Sequence, residues 1–146
     1  MPELSRRVQT FTDSVIRRMT RISDEVDAIN LSQGFPDFPP PKAITDRLRE
    51  VADEGPHQYS VTFGAENFRE ALARKQGRAY GREINPDTEI LVTCGGTEAM
   101  MSAMMTVCNP GDKVIVFSPF YENYGADAIL SGADPIFVPL VPPTFD

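Results

Sequence analysis

Gly95, Gly96 and Thr97 stand between a short apolar run, Glu89 to Thr93 (EILVT), and an apolar helical pattern from Thr97 to Cys108. Two adjacent glycines let a backbone turn tightly and come close to a ligand. Thr97 can cap the helix or offer its hydroxyl to an anion. The N–H groups of a first helical turn have no partner within the helix, and the helix dipole favours negative charge there. Phosphate is the natural guest of such a turn. Glycines at a strand-to-helix turn also serve close packing, so this feature alone leaves packing and binding open. Glu98 would repel a phosphate if it faced the turn, which predicts that its carboxylate points elsewhere.

Three further positions carry suitable chemistry. Ser118-Pro119-Phe120-Tyr121 follows a second apolar run, and in a parallel sheet it neighbours the glycine turn. An aromatic there either packs or lies over a flat ring, where offset stacking adds about 0.5–1.5 kcal/mol beyond area burial. Tyr59 sits in HQYSVTFG, a stretch without helical or strand period. Its phenol can donate to an anion or simply face water. Gly34, before Phe35 and Pro36, is either a turn residue or a place where substrate meets the main chain.

Other chemistries are poorly served. There is one histidine, His57, and there are two cysteines, Cys94 and Cys108. A structural zinc site needs four such ligands, so no metal site is expected. No nucleophile motif accompanies His57. The sequence contains neither G-x-G-x-x-G after its first strand nor G-x-x-x-x-G-K-[ST], which argues against an unrelated dinucleotide or nucleoside-triphosphate binder.

The elements that must position these residues can be read from periodicity. Ser5 to Ile22 reads as an amphipathic arm helix with Val8, Phe11, Val15, Met19 and Ile22 on one stripe and solvated arginines opposite. Ala28 to Leu31 is strand-like. Pro36, Pro39, Pro40 and Pro41 then make a stiff, shaped connection. Pro41 opens a helix whose buried stripe is Ile44, Leu48, Val51 and Ala52, with Gly55 at its C-terminal cap. An irregular stretch, GPHQYSVTFGAEN, leads to a second helix, Glu66 to Tyr80, with Phe68, Leu72 and Ala79 on one face and Gly81 ending it. Residues 85–87 (NPD) form a turn. Strands are expected at Glu89 to Thr93, Val114 to Phe117 and from Pro135 to Val138, alternating with helices. That alternation predicts an α/β fold with a mostly parallel sheet covered on both faces. The helix from Thr97 is apolar almost all round, with Met100, Met101, Met104 and Met105, and is expected to be buried.

Composition permits a packed core: 41% of the 146 residues are hydrophobic and 24% charged. With 14 Lys and Arg against 21 Asp and Glu, the net charge of −7 argues against a nucleic-acid backbone binder. No apolar run approaches the roughly 18 residues of a membrane span, and MPELSRRVQT lacks the apolar core of a secretory signal. The expectation is a cytoplasmic protein with free thiols and neither nucleic-acid nor membrane partners.

Four pieces occur in one order: NLSQGFPDFPPP, HQYSVTFGAENFREALARKQGRAYG, ILVTCGGTEAM and NPGDKVIVFSPFYENYGADAILSGA. Together they resemble the N-terminal portion of class I/II aminotransferases, fold-type I pyridoxal-phosphate enzymes, and most closely the branch of kynurenine/glutamine and aspartate-type enzymes. The resemblance spans essentially the whole chain. It implies an N-terminal arm and small-domain segment at residues 1–48, and at 49–146 the first part of the pyridoxal-phosphate-binding large domain. It assigns Gly95, Gly96 and Thr97 to the cofactor phosphate and Tyr121 to the cofactor ring, with Phe120 one residue away. Tyr59 matches the tyrosine that reaches across a homodimer to the other subunit's cofactor phosphate, giving shared active sites. Gly34 matches the glycine beside the substrate carboxylate.

The resemblance also implies a Schiff-base lysine, an aspartate at the pyridine nitrogen, an asparagine and a tyrosine at the ring oxygen, and an arginine for the substrate carboxylate. None of these is identifiable here. Lys42 opens a helix after the proline run, Lys75 lies mid-helix and Lys113 starts a strand, so none matches the lysine's context. No catalytic residue is assigned within the chain. The expectation is an N-terminal fragment, inactive alone, of an aminotransferase that moves an amino group between an amino acid and a 2-oxo acid. A lyase of the same fold, or a non-catalytic phosphate-binding or dimerising fragment, are the alternatives.

Overall fold

The computed structural model describes residues 3–55 and 57–145. Pro56, within the stretch expected to be irregular, lies outside the described residues, as do Met1, Pro2 and Asp146. A 3-10 turn at Arg6–Val8 precedes helix α1 (Val15–Glu25), then α2 (Lys42–Asp53), α3 (Glu66–Tyr80), α4 (Gly96–Val107), strand β1 (Lys113–Ser118), α5 (Asn123–Leu130) and β2 (Asp134–Pro139). The chain divides into two compact units, Met1–Arg21 with Thr93–Asp146, and Ile22–Val92.

In the first unit β1 and β2 pair in parallel, with Lys113 opposite Asp134 and Ser118 opposite Pro139. α5 supplies the crossover that parallel pairing requires. The turns before the two strands are bonded to each other: the Gly111 N–H donates to Gly132 O at 2.9 Å and the Asp134 N–H to Asp112 O at 2.8 Å. Gly111 and Gly132 take φ of +90° and +88°, which fits glycine. Val116, Ala128 and Ala133 form the small core, where α5 lies on the sheet face that carries Val116. Gly125 sits so close to the Phe137 ring that an added Cβ would lie 3.2 Å from it.

In the second unit, α3 matches its expected bounds and ends at Gly81 in the left-handed region, φ +65°. Its inward residues are Arg69 and Ala73, not Phe68 and Ala79, which are exposed. The Arg69 side chain, 7% exposed, donates to Gly64 O at 3.0 Å, Pro86 O at 2.7 Å and Asp87 Oδ1 at 2.6 Å. It thereby ties the loop before α3 to the NPD turn after it. That turn forms as expected, with the Asp87 N–H donating to Asn85 Oδ1 at 2.8 Å. Glu89 closes it by accepting from the Asn85 N–H and from Arg82, and these two donors hold its carboxyl below the usual carboxylate range.

Several expectations are corrected. The arm is not one helix from Ser5 to Ile22. Ser14 interrupts it, because its hydroxyl accepts from the Arg17 N–H at 3.3 Å and starts α1 afresh. Ala28 to Leu31 forms no strand: the Ala28 N–H bonds back to Ser23 O at 2.9 Å, and Ile29 and Leu31 are exposed. Glu89 to Thr93 makes no ladder: among the described residues its one backbone bond to a segment distant in sequence runs from the Val92 N–H to Phe63 O at 3.0 Å. The described sheet therefore has two strands instead of three. Ile44, Leu48 and Val51 on α2 are exposed, and Glu54 rather than Gly55 caps that helix. α4 buries no residue fully, and Met105 and Val107 face solvent. The sheet is covered on one face only, since Ile115 and Phe117 are 62% and 57% exposed.

Candidate functional site

Gly95 precedes α4 with φ +92° and ψ 175°, a conformation open essentially to glycine alone. The turn is pinned twice: the Gly95 N–H donates to Thr93 O at 2.8 Å, and the Thr93 hydroxyl donates to Gly95 O at 3.0 Å. Glu98, third residue of α4, reaches back so that its carboxylate accepts from the Cys94 N–H. This is the geometry of a capping box displaced by one residue. The carboxylate expected to point away from the turn instead folds back onto it, held by the turn's own Cys94 N–H.

What remains open is the first turn of α4. The N–H groups of Gly96, Thr97 and Glu98 have no acceptor among the described residues. A Cβ added at Gly96 would have nothing within 4 Å. Gly96 and Thr97 help line a recess of about 330 Å3, with Met100, Tyr121, Asn123 and Tyr124. Gly96 and Thr97 are the first two residues of α4, and Asn123 and Tyr124 are the first two of α5. Two helix amino termini therefore line one recess, and none of its lining side chains carries a charge. Both dipoles favour an anion there.

The aromatic residues are sorted by their contacts. Phe120 stacks on Phe137, with ring centroids 5.1 Å apart and planes 11° apart. Tyr121 meets Tyr124 edge-on at 5.9 Å and stays half exposed at the recess. Behind it Met100, Met104, Ile115 and Phe117 help line an apolar recess of about 490 Å3 that Tyr121 and Tyr124 also border. Of the residues singled out in the sequence, Gly96, Thr97 and Tyr121 come together, with Gly95 setting the turn. Tyr59 and Gly34 belong to the second unit, where both are exposed.

Two contacts at this site escaped the sequence reading. The Asn123 Nδ2 donates to Thr97 Oγ1 at 2.8 Å. The Ser14 hydroxyl donates to Glu122 Oε1 at 2.6 Å, tying the arm to the residue between Tyr121 and Asn123. The only signal for either was position: both partners lie in SPFYENY, the segment already expected beside the glycine turn.

The recess suits a phosphorylated flat ring. It offers the free amides of Gly96 and Thr97 at one end, the Thr97 hydroxyl beside them, the Tyr121 ring at its border, and no carboxylate among its lining side chains. Among the described residues no group of three His, Cys, Asp or Glu is placed to hold a metal ion, and no helix is long and apolar enough to cross a membrane.

Residues 26–145 match the family described as aminotransferase class I and II. Methionine aminotransferase of Escherichia coli is 39% identical over 132 residues, which is 90% of this chain and 34% of that protein. Human kynurenine–oxoglutarate transaminase 1 is 37% identical over 124 residues, 84% of this chain and 29% of that protein. The crystal structure of YbdL from Escherichia coli, to which a methionine aminotransferase function is attributed, superposes with a TM-score of 0.91 at 35% identity, covering 100% of this chain and 38% of that one. The chain thus spans about a third of the length of the relatives it matches. The architecture is a partial α/β segment of the fold-type I kind, a parallel sheet with helices, and the family's cofactor is pyridoxal phosphate. The chain belongs to the aminotransferase class I and II family.

Proposed function

We propose that this chain is the coenzyme-anchoring N-terminal part of a pyridoxal-phosphate aminotransferase that moves an amino group between an amino acid and a 2-oxo acid. The observation that carries the reading is the meeting of two helix amino termini, with free amides at Gly96 and Thr97, at one recess bordered by Tyr121. The amides and the Thr97 hydroxyl take the phosphate, each charge-assisted bond contributing about 1.5–3 kcal/mol. Tyr121 lies along the pyridine ring, while Phe120 is already held by Phe137. The chemistry that pyridoxal phosphate supplies when bound is electron withdrawal from the carbon bearing the amino group.

Two further roles rest on the family likeness alone. Tyr59, fully exposed, would donate to the coenzyme phosphate of a second copy of the chain. Gly34, with open space around it, would let the substrate carboxylate approach the main chain. The division into an arm and small-domain segment at residues 1–48 and a large-domain part from 49 rests on the same likeness. So does a cytoplasmic homodimer with shared active sites. The Escherichia coli relative is named for methionine and the human one for kynurenine and oxoglutarate, and an amino-acid donor with an oxo-acid acceptor is the chemistry they have in common. The exposure of Ile115 and Phe117 on one sheet face supports a place within a larger fold, because parallel sheets are stable when both faces are covered.

Titration with pyridoxal 5′-phosphate and with pyridoxal tests the phosphate reading. The phosphorylated form is expected to bind at least about tenfold more tightly and to be displaced by inorganic phosphate. Equal affinity for the two, or no displacement, overturns the reading. The 146-residue chain is expected not to transaminate by itself. Turnover by it would overturn the placement of the reactive lysine outside these residues.

A further inference from the structure

Thr97 carries a hydroxyl on the same helical turn as the free amides, and its usefulness depends on where its proton points. A hydroxyl has one proton to donate and two lone pairs. The Asn123 Nδ2 donates to Thr97 Oγ1 at 2.8 Å and so occupies a lone pair. The hydroxyl proton is thereby left to a third group. Both residues line the recess, and both sit at helix starts, Thr97 at the second position of α4 and Asn123 at the first of α5. The contact therefore also fixes the spacing of the two amino termini.

Asn123 is itself held in place. Glu122, its neighbour, accepts from the Ser14 hydroxyl at 2.6 Å, and Ser14 starts α1 by accepting from the Arg17 N–H. The Tyr124 N–H bonds to Tyr121 O at 3.0 Å, so the segment Tyr121 to Tyr124 is a closed turn with a defined Asn123 direction.

We infer that Asn123 is a positioning residue for the coenzyme phosphate: by donating to Thr97 Oγ1 it turns the Thr97 hydroxyl into a donor aimed at the anion and holds the α5 amino terminus against that of α4. The inference rests on the reading of this recess as a phosphate site. It predicts that an acceptor at position 123 is worse than no side chain at all. In Asn123→Asp the carboxylate accepts a hydrogen bond from the Thr97 hydroxyl, turning it away from the anion, and adds negative charge at the recess. In Asn123→Ala the hydroxyl merely loses its orientation.

The test measures binding of pyridoxal 5′-phosphate and of pyridoxal by equilibrium titration, in the parent protein, Asn123→Ala, Asn123→Asp, Thr97→Val and the Asn123→Ala/Thr97→Val double variant. The ratio of the two affinities isolates the phosphate. Asn123→Ala is expected to lower that ratio about fivefold to tenfold, Asn123→Asp by more, with pyridoxal affinity nearly unchanged. In the Thr97→Val background Asn123→Ala is expected to add little, because its route to the phosphate is already gone. Equal, independent losses in both backgrounds, or an unchanged ratio in Asn123→Ala, would overturn the positioning role while leaving the phosphate site standing. A parent protein that fails to favour the phosphorylated form would remove the site itself. Should Asn123→Asp fold poorly by circular dichroism, the alanine cycle alone decides.

Discussion

Gly96 separates a packing role from a binding role more sharply than any other residue of the site. Its backbone is helical, not left-handed, and a Cβ placed there meets nothing within 4 Å. Gly96→Ala should therefore not cost stability, and by restricting the unfolded chain it should add up to about 0.5–1 kcal/mol. Yet the new methyl stands in the recess beside the free amides, where an oxyanion must come to hydrogen-bond distance. Gly96→Asp goes further. A carboxylate about 4 Å from one phosphate charge costs about 1 kcal/mol at the dielectric of water and about 4 kcal/mol at an effective value of 20. For a partly exposed turn and a nearly divalent phosphate, about 2–4 kcal/mol is a fair middle figure, or roughly 30- to 1000-fold in affinity. Thermal unfolding without coenzyme should place the alanine variant at or above the parent. Titration with pyridoxal 5′-phosphate should show affinity falling from parent to alanine to aspartate. If Gly96→Asp kept the parent's affinity, phosphate could not lie on this turn, and the reasoning from the amino termini would fail with it. If Gly96→Ala were strongly destabilised, the glycine would be there for packing.

Other outcomes follow from single contacts. Gly95→Ala, at φ +92°, should lose about 1–3 kcal/mol in denaturant unfolding, in contrast to its neighbour. Gly64→Ala should lose at least as much, because the added Cβ would lie 2.5 Å from Val92 Cγ2 at a φ of +108°. Arg69→Met should lower stability by about 3 kcal/mol, read by urea unfolding, since it strands the Gly64 and Pro86 carbonyls and the Asp87 carboxylate. Asp127, 3% exposed with no partner for Oδ2 among the described residues, has its carboxyl pushed above the usual range by burial. Its penalty is absent when both folded and unfolded forms are protonated. It grows as pH rises from the ordinary carboxylate range through the raised value. Asp127→Asn should therefore raise the melting temperature at neutral pH and not in strong acid; a uniform shift at all pH values would refute burial as the cause.

Local rules carried the fold wherever a residue acts on its own neighbours. Glu66 to Tyr80 is read correctly because Gly81 can take the left-handed cap, and the NPD turn follows from an Asn side chain that bonds to a nearby amide. The arm failed for the same kind of reason unrecognised: Ser14 is an N-cap in a run that otherwise keeps a helical stripe. Burial was less legible. The stripe of α2 and the methionines of α4 have the right period, but period tells which residues share a face and not what covers it. Glu89 to Thr93 has strand composition, yet a strand exists only where a neighbour offers a row of backbone partners, and here Phe63 offers one.

The site was legible to the extent that its chemistry is backbone chemistry. Glycine-glycine-threonine before a helix states where free amides will be, and the alternation of strand and helix states that Ser118 to Tyr121 will lie beside them. Residue pattern alone did not say which aromatic borders the recess, because Phe120 and Tyr121 differ by one residue; the family resemblance named Tyr121, and the stacking of Phe120 on Phe137 separates the two. Asn123 was invisible for a deeper reason. A polar residue opening a helix is ordinary, and its meaning comes from a contact 26 residues away in sequence. On the proposed phosphate reading, a chain with a net charge of −7 gains from this arrangement. Backbone dipoles attract the phosphate without a cation that could pair instead with the many carboxylates. A hydroxyl that accepts from an amide on one lone pair keeps its proton free to donate, so it adds a bond without adding charge. Side-chain neutrality at the recess is therefore not a weakness of the anion site: it makes binding depend on how two helix ends are held together, and that is the property the Asn123 and Thr97 variants probe.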